Sequence, residues 1–194
     1  MFKGKRAAMV GTLVVALFLS LLTFLAPGKA LAVYDCSLSI TAEKQGAIDG
    51  GSNIKGREKT FEVLSYSLGE TLQISTTTTG QYTGSVVMQD FKVTMKTSKG
   101  SPKLLQAAVS RERFKEVTLK VYTLDKAGQH SHSLSIVLKG VIISSFLNLG
   151  NSKSTEAWPI EEVMFKLISG SNIRFTYELD GVDFQYQIGQ QMTK

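Results

Sequence analysis

The chain has 194 residues, a formal net charge of +6 and a single cysteine. One cysteine excludes a framework of intramolecular disulfides. Four of the 22 basic residues and none of the 16 acidic ones precede residue 33, so the rest of the chain carries a net charge of only +2. This balance, without a run of Lys and Arg among aromatic residues, argues against nucleic-acid binding.

The first 32 residues resemble an export signal. Three basic residues lie among the first six, the stretch 7–26 is uncharged, and an Ala-Leu-Ala triplet ends at Ala32, where a signal peptidase reads small residues. We predict cleavage between Ala32 and Val33, which leaves one domain of 162 residues, 33–194, in a secreted or periplasmic protein. The apolar stretch approaches the length of a membrane-spanning helix, so an uncleaved inner-membrane anchor is the alternative.

From residue 34 onwards, apolar and polar side chains alternate along most of the chain. Tyr34, Cys36, Leu38 and Ile40 begin this period of two, which is typical of strands with one buried and one solvated face. Such runs recur about nine times, separated by turns rich in Gly, Asn, Ser and Asp. They predict a mainly β, single-domain antiparallel barrel or sandwich. Asp180-Gly181 predicts a hairpin leading into a last strand.

Two polar segments, 76–84 and 150–157, do not alternate and are predicted to be exposed loops. The only tryptophan, Trp158, follows the second segment and is interpreted as a local plug at a junction between loop and strand.

The segment QDFKVTMKTSKGSPKLLQAAV, at 89–109, predicts a strand, a turn and the one short helix of the fold, at about 101–110. Lys99-Gly100 ends the alternation of the strand. We expect the Ser101 hydroxyl to cap the first free N–H groups of the helix, and Pro102 fits the first helical position because no N–H is needed there.

This succession of segments resembles the Hcp family, which forms the inner tube of the bacterial type VI secretion system. The strand that runs through Ser-Pro-Lys-Leu-Leu into a lone helix is one similarity, and six further motifs follow the order of the family. They are FEVLSYSLG at 61–69, GQYTGSV at 80–86, KEVTL at 115–119, VIISSF at 141–146, PIEEVMF at 159–165 and IRFTY at 173–177. Leu68 stands where Trp is common in the family.

The resemblance implies a structural subunit of hexameric rings that stack into a tube. It implies homo-oligomeric contacts, and it adds small effector proteins or the tip and sheath proteins of a secretion machine as partners. By position it assigns a ring-stacking loop, with Thr79, Gln81, Tyr82 and Thr83 as candidates, and a helix that contacts a neighbouring subunit, with Ser101, Lys103 and Gln106 as candidates. Ordinary members lack a cleavable leader, so the leader indicates an exported relative.

No pattern of catalytic or cofactor-binding residues stands out. His130 and His132 are the only histidines, no further Cys or His is placed to complete a metal site with them, and we interpret them as part of a hairpin tip. Glu161 and Glu162 adjoin in a strand and therefore point to opposite faces. Cys36 falls on the apolar phase of its strand and is expected to be buried. We predict no enzymatic activity, no cofactor and no metal.

A secreted β-sandwich that binds carbohydrate or a component of the cell envelope is the alternative function. Such a module presents exposed aromatic side chains on one sheet face. The candidates are Tyr82, Trp158, Tyr177 and Tyr186.

Overall fold

The computed structural model describes residues 34–76, 82–124, 130–150, 158–178 and 181–187, which hold twelve strands and one helix. The elements are β1 (Tyr34–Ala42), β2 (Gly46–Ile48), β3 (Phe61–Ser67), β4 (Glu70–Thr76), β5 (Tyr82–Met88), β6 (Phe91–Lys96), α1 (Ser101–Ser110), β7 (Arg113–Leu124), β8 (His130–Lys139), β9 (Val141–Leu149), β10 (Ile160–Lys166), β11 (Asn172–Tyr177) and β12 (Val182–Gln187). The expected cleavage pair, Ala32 and Val33, lies outside these ranges. Within them, no helix has the length and apolar character needed to cross a membrane.

Six strands close into a barrel in the order β1, β7, β9, β10, β6, β3 and back to β1. Strand β7 makes closure possible because it is twelve residues long and uses both of its edges. One edge pairs with β1 from Phe114 to Thr123. The other pairs first with β9, through Arg113 and Phe114, and then with β8 from Val117 onwards. All these pairings are antiparallel, as the alternating pattern predicts.

Strands β8, β11 and β12 continue the sheet beyond the barrel, and we call them the sheet extension. A single residue, Gly140, separates β8 from β9, and its φ of 70° lies in the left-handed region that favours glycine. The chain turns there, so β8 pairs with the outer part of β7 and β9 enters the barrel. Strand β12 then pairs only with β11 among the described strands and forms a free edge.

The barrel is filled by aromatic and aliphatic side chains. Phe61, Phe91, Phe114 and Phe165 have no exposed surface, and the Phe165 ring packs edge-on against Phe114 with centroids 5.6 Å apart. Burying one such side chain contributes about 1.5–3 kcal/mol to the free energy of folding. Cys36 is buried as predicted, and burial, with a smaller effect of Asp35, raises the pKa of its thiol to about 11.

Helix α1 packs its buried Leu104 and Ala107 into this core. Its bounds confirm the predicted helix, but the expected role of Ser101 is wrong. The helix is capped by Gly100 without a side-chain hydrogen bond. The Ser101 hydroxyl instead donates to Glu161 Oε2 at 2.8 Å and accepts the N–H of Ser98 at 2.9 Å. Because Glu161 is buried on the core face of β10, its carboxylate fixes the start of the helix to the barrel.

A second buried carboxylate follows the helix. Glu112 Oε1 accepts the N–H groups of Lys44 and Gln45 at 2.6 and 3.0 Å, and its other oxygen accepts the Gln45 side-chain amide at 3.1 Å. Burial alone would raise the pKa of Glu112, but these hydrogen bonds outweigh it and hold the pKa below its usual range. The turn between β1 and β2 is thereby tied to the end of α1.

Candidate assembly surfaces

The sheet extension presents a row of exposed apolar side chains, Phe175, Tyr177, Val182 and Phe184, which we call the extension face. Phe175 lies between Ile136 of β8 and Phe184 of β12, and Tyr177 lies beside Val182. Side chains on successive strands keep their face through these pairings, so the row continues the layer that fills the barrel. Beyond the barrel nothing in the described chain covers it, and Phe184 and Val182 are 59% and 64% exposed.

An open groove of about 600 Å³ lies beside the extension face. Its walls are mostly apolar, with Tyr66 and Leu68 on one side and Val121, Ile136 and Phe175 on the other. Contiguous apolar surface of this kind marks a contact site in a soluble protein.

The opposite surface of the sheet extension is polar and paired within the subunit. The Arg174 guanidinium bonds Asp183 at 2.7–3.0 Å and holds the pKa of that carboxyl below its usual range, with the Thr176 hydroxyl assisting. Lys139 lies 3.5 Å from Glu116 on the same surface. One side of the sheet extension is therefore apolar and exposed, whereas the other is polar and carries ion pairs.

Strands β4 and β5 form a two-stranded sheet of their own. Leu72, Ile74 and Val86 share one side of it, which we call the hairpin face, and they are 56%, 59% and 41% exposed. The sequence predicts a loop at 76–84, but β4 ends at Thr76 and β5 begins at Tyr82, so the described residues at both ends of this segment belong to strands. Residues 77–81 lie outside the description.

Of the four predicted ring-stacking residues, two lie in β5 and two lie outside the described residues. Tyr82 and Thr83 open β5 and pair with Thr76 and Ser75, whereas Thr79 and Gln81 lie outside the described residues. The exposed apolar residues of the hairpin face were missed, although Leu72 and Ile74 alternate with polar neighbours.

The predicted contact residues of α1 differ in exposure. Ser101 is buried and its hydroxyl is used within the subunit, while Lys103 and Gln106 are exposed. A contact role for these two stays a prediction. Leu105 and Val109, which the sequence pattern places with Leu104 on the apolar side of the helix, are 48% and 78% exposed and give the outer side of α1 an apolar character.

A cleft of about 390 Å³, which we call the Trp158 cleft, lies at one end of the barrel. Trp158 is 64% exposed at its edge, so its interpretation as a plug is wrong. Two ion pairs border the cleft, Lys96 with Glu62 and Lys99 with Asp49, each at 2.8 Å. The N–H of Thr97 donates to the carbonyl of Pro159 at 2.9 Å and fixes the chain next to Trp158.

The described residues contain no group of His, Cys, Asp and Glu that could hold a metal ion. His132 lies in β8 with its ring 5.5 Å from that of Tyr122 and a ring nitrogen 3.0 Å from the carbonyl of Leu134. Residues 125–129, the rest of the predicted histidine turn, lie outside the description. Glu161 is buried while Glu162 pairs with Lys92 at 2.7 Å, so the two carboxylates are separated as predicted.

Comparison with known proteins gives a consistent result. The family described as "Type VI secretion system effector, Hcp" matches residues 38–177. No match was found among curated proteins, whereas 59 chains of known structure match. The Hcp1 protein from E. coli EAEC 042 has a TM-score of 0.68 at 20% identity, with 79% of this chain and 97% of that chain covered.

Two further structures show the same likeness. The secreted protein Hcp3 from Pseudomonas aeruginosa has a TM-score of 0.60 at 23% identity, over 79% of this chain and 97% of that chain. Hcp1 from Salmonella typhimurium has a TM-score of 0.59 at 19% identity, over 79% and 94%. At these identities the likeness shows a shared fold, and it confirms the predicted mainly β barrel with one short helix.

Proposed function

The chain belongs to the Hcp family of the type VI secretion system, and on this premise we propose that it is a non-catalytic subunit of a hexameric ring that stacks into a tube. The extension face is the observation that carries the proposal. Its three aromatic side chains, Phe175, Tyr177 and Phe184, give it the composition of an interface centre, where Phe, Tyr and Trp are enriched. A monomer in water gains nothing from exposing them.

The position of the extension face suits a ring better than a two-fold dimer. The sheet extension leaves the barrel on one side. A neighbouring subunit can therefore cover the extension face with a different surface, and the extension face of that neighbour remains free for the next subunit. Repeated head-to-tail contacts of this kind close into a ring when the rotation permits. Six subunits is the number that the family resemblance implies.

Light scattering on purified residues 33–194 tests the ring directly. We expect a hexamer at micromolar concentration, because the extension face and its groove supply the apolar centre of a subunit contact. A stable contact of this kind buries roughly 1,200–2,000 Å² of surface. A monomer at that concentration would contradict the proposal.

The hairpin supports the stacking part of the proposal. A two-stranded hairpin is marginally stable in water by itself, and one with an exposed apolar side gains most from a partner that covers that side. In the proposed tube the partner is a subunit of the next ring. Effector, tip or sheath proteins are further proposed partners, which would meet the assembled ring.

We also propose that residues 1–32 form an export signal and that the mature chain begins at Val33. Intact-mass measurement of the protein from its native cells should give the mass of residues 33–194. Substitution of Ala32 by Arg should give the full-length mass, because signal peptidase requires a small residue there. A full-length mass for the unsubstituted protein would identify the leader as a retained anchor.

A further inference from the structure

The Trp158 cleft combines one exposed aromatic side chain with polar walls. Trp158 is 64% exposed at its edge. The other lining residues are polar or have no side chain, namely Gly50, Gly51, Ser52, Glu62, Lys96, Thr97, Ser98 and Lys99. None of them belongs to the extension face or the hairpin face, so the cleft is a surface of a different kind.

The charges at the cleft balance each other. Lys96 pairs with Glu62 and Lys99 with Asp49, each at 2.8 Å, so two cations lie beside two carboxylates. The cleft therefore has no excess charge to attract an ionic ligand. A hydroxyl group both donates and accepts, and it can hydrogen-bond to both members of an ion pair without separating them. This arrangement favours an uncharged ligand with several hydroxyl groups.

A pyranose ring matches this combination of surfaces. Its C–H bonds give it an apolar face that fits flat against an aromatic ring, and its hydroxyl groups point outward from the rim. Trp158 supplies the aromatic face, and Glu62 and Lys96 supply charged hydrogen-bonding groups for the rim. The volume of about 390 Å³ lies within the usual range for small-molecule sites, roughly 300–1,000 Å³. Tyr177, another aromatic candidate for carbohydrate binding, lies instead on the apolar extension face.

The edge of the cleft is fixed before any ligand binds. The N–H of Thr97 donates to the carbonyl of Pro159 at 2.9 Å, and Ile160 pairs with Lys96 in the barrel sheet. Trp158 directly precedes these two anchored positions. A side chain attached to fixed backbone loses little further freedom on binding, which lowers the entropic cost.

We propose that the Trp158 cleft binds a neutral oligosaccharide, with one sugar ring stacked on Trp158 and its hydroxyl groups bonded to Glu62 and Lys96. The site shares no residue with the extension face and does not depend on the ring. In a hexamer, rotational symmetry repeats the cleft six times, so the assembly gains six equivalent sugar sites. An exported protein meets polysaccharides in the cell envelope.

Titration of residues 33–194 with three soluble sugars tests the site. The sugars are the N-acetylglucosamine tetramer, cellotetraose and maltotetraose, and the single tryptophan reports on the cleft. We expect at least one of them, at millimolar concentration, to move the emission of Trp158 to shorter wavelength in a saturable manner. A response to the N-acetylglucosamine tetramer would assign the cleft to glycan strands of the cell wall, and one confined to the other two would assign it to a different polysaccharide. No response to any of the three would overturn the proposal.

Variants of the cleft are compared by calorimetry with the sugar that responds. Trp158→Ala should weaken binding about tenfold or more, because it removes the stacking face, whereas Trp158→Phe should keep most of the affinity. Glu62→Gln should also weaken binding about tenfold, because it removes a charged acceptor. The matched control is Glu162→Gln, since Glu162 forms a similar pair with Lys92 at 2.7 Å outside the cleft. Full affinity in Trp158→Ala, or an equal loss in Glu162→Gln, would overturn the proposal.

The outcomes separate the cleft from the ring, because light scattering reports hexamers independently of sugar binding. Hexamers that bind none of the sugars would overturn the sugar site and leave the ring intact. Monomers that bind a sugar with the expected loss in Trp158→Ala would contradict the ring and support the sugar site.

Discussion

Replacing Phe184 by Asp should convert the hexamer into monomers. The Phe184 ring is 59% exposed in the isolated subunit and lies beside Phe175 at the centre of the extension face. Loss of a central aromatic anchor costs about 2 kcal/mol or more of binding free energy at one contact. A closed hexameric ring repeats the contact six times, so the assembled ring loses on the order of 12 kcal/mol. Light scattering at micromolar concentration checks the mass.

The control for this experiment is Gln185→Asp, which introduces the same charge one residue further along β12. Gln185 pairs with Arg174 on the polar side of the extension, so the variant should remain hexameric. Both variants should keep the circular dichroism and unfolding temperature of a folded subunit, because neither side chain is in the barrel core. A hexamer that survives Phe184→Asp, or one that Gln185→Asp also dissolves, would show that the extension face is not the ring contact.

Most barrel strands could be predicted from the sequence because one rule governs them. A strand with one buried side must alternate, and the strands that carry Leu38, Val93 and Leu119 do so. Strand β10 departs from the rule, with Glu161 on its buried side and Ile160 and Met164 on the other. Three strands were missed. Strand β2 has only three residues, and the hairpin strands β4 and β5 overlap the polar segment 76–84, which the sequence predicts as a loop.

The surfaces were harder to predict than the strands for a different reason. Phe175 and Phe184 alternate as regularly as core residues, and local pattern does not reveal whether a strand lies over the barrel or beyond it. That depends on the pairing of β8 with both β7 and β11, which is a long-range property. The roles of Ser101 and Trp158 were misjudged similarly, since the partner of Ser101 is Glu161, sixty positions away.

Replacing Gly50 by Ala should destabilise the subunit more than the same substitution at any other described glycine whose φ is not positive. An ideal Cβ at Gly50 would lie 2.5 Å from the backbone nitrogen of Phe61 and 2.6 Å from its Cγ. Phe61 is fully buried and opens β3, so it cannot move aside without disturbing the pairing of β3 with β1. The far end of the Phe61 phenyl ring is also tightly packed, because a Cβ at Gly100 would lie 2.5 Å from Phe61 Cζ.

Overpacking a core usually costs about 1–3 kcal/mol, and we expect Gly50→Ala to lie at the upper end because backbone atoms are involved. In a domain of this size, about 3 kcal/mol corresponds to a fall of roughly 6–12 °C in Tm. Gly150→Ala is the matched control, since nothing lies within 4 Å of its Cβ position. It should leave stability unchanged or raise it by up to about 1 kcal/mol through the unfolded chain. Urea unfolding of both variants in the Phe184→Asp background measures the subunit without the ring, and equal midpoints would contradict the tight packing of Gly50 against Phe61.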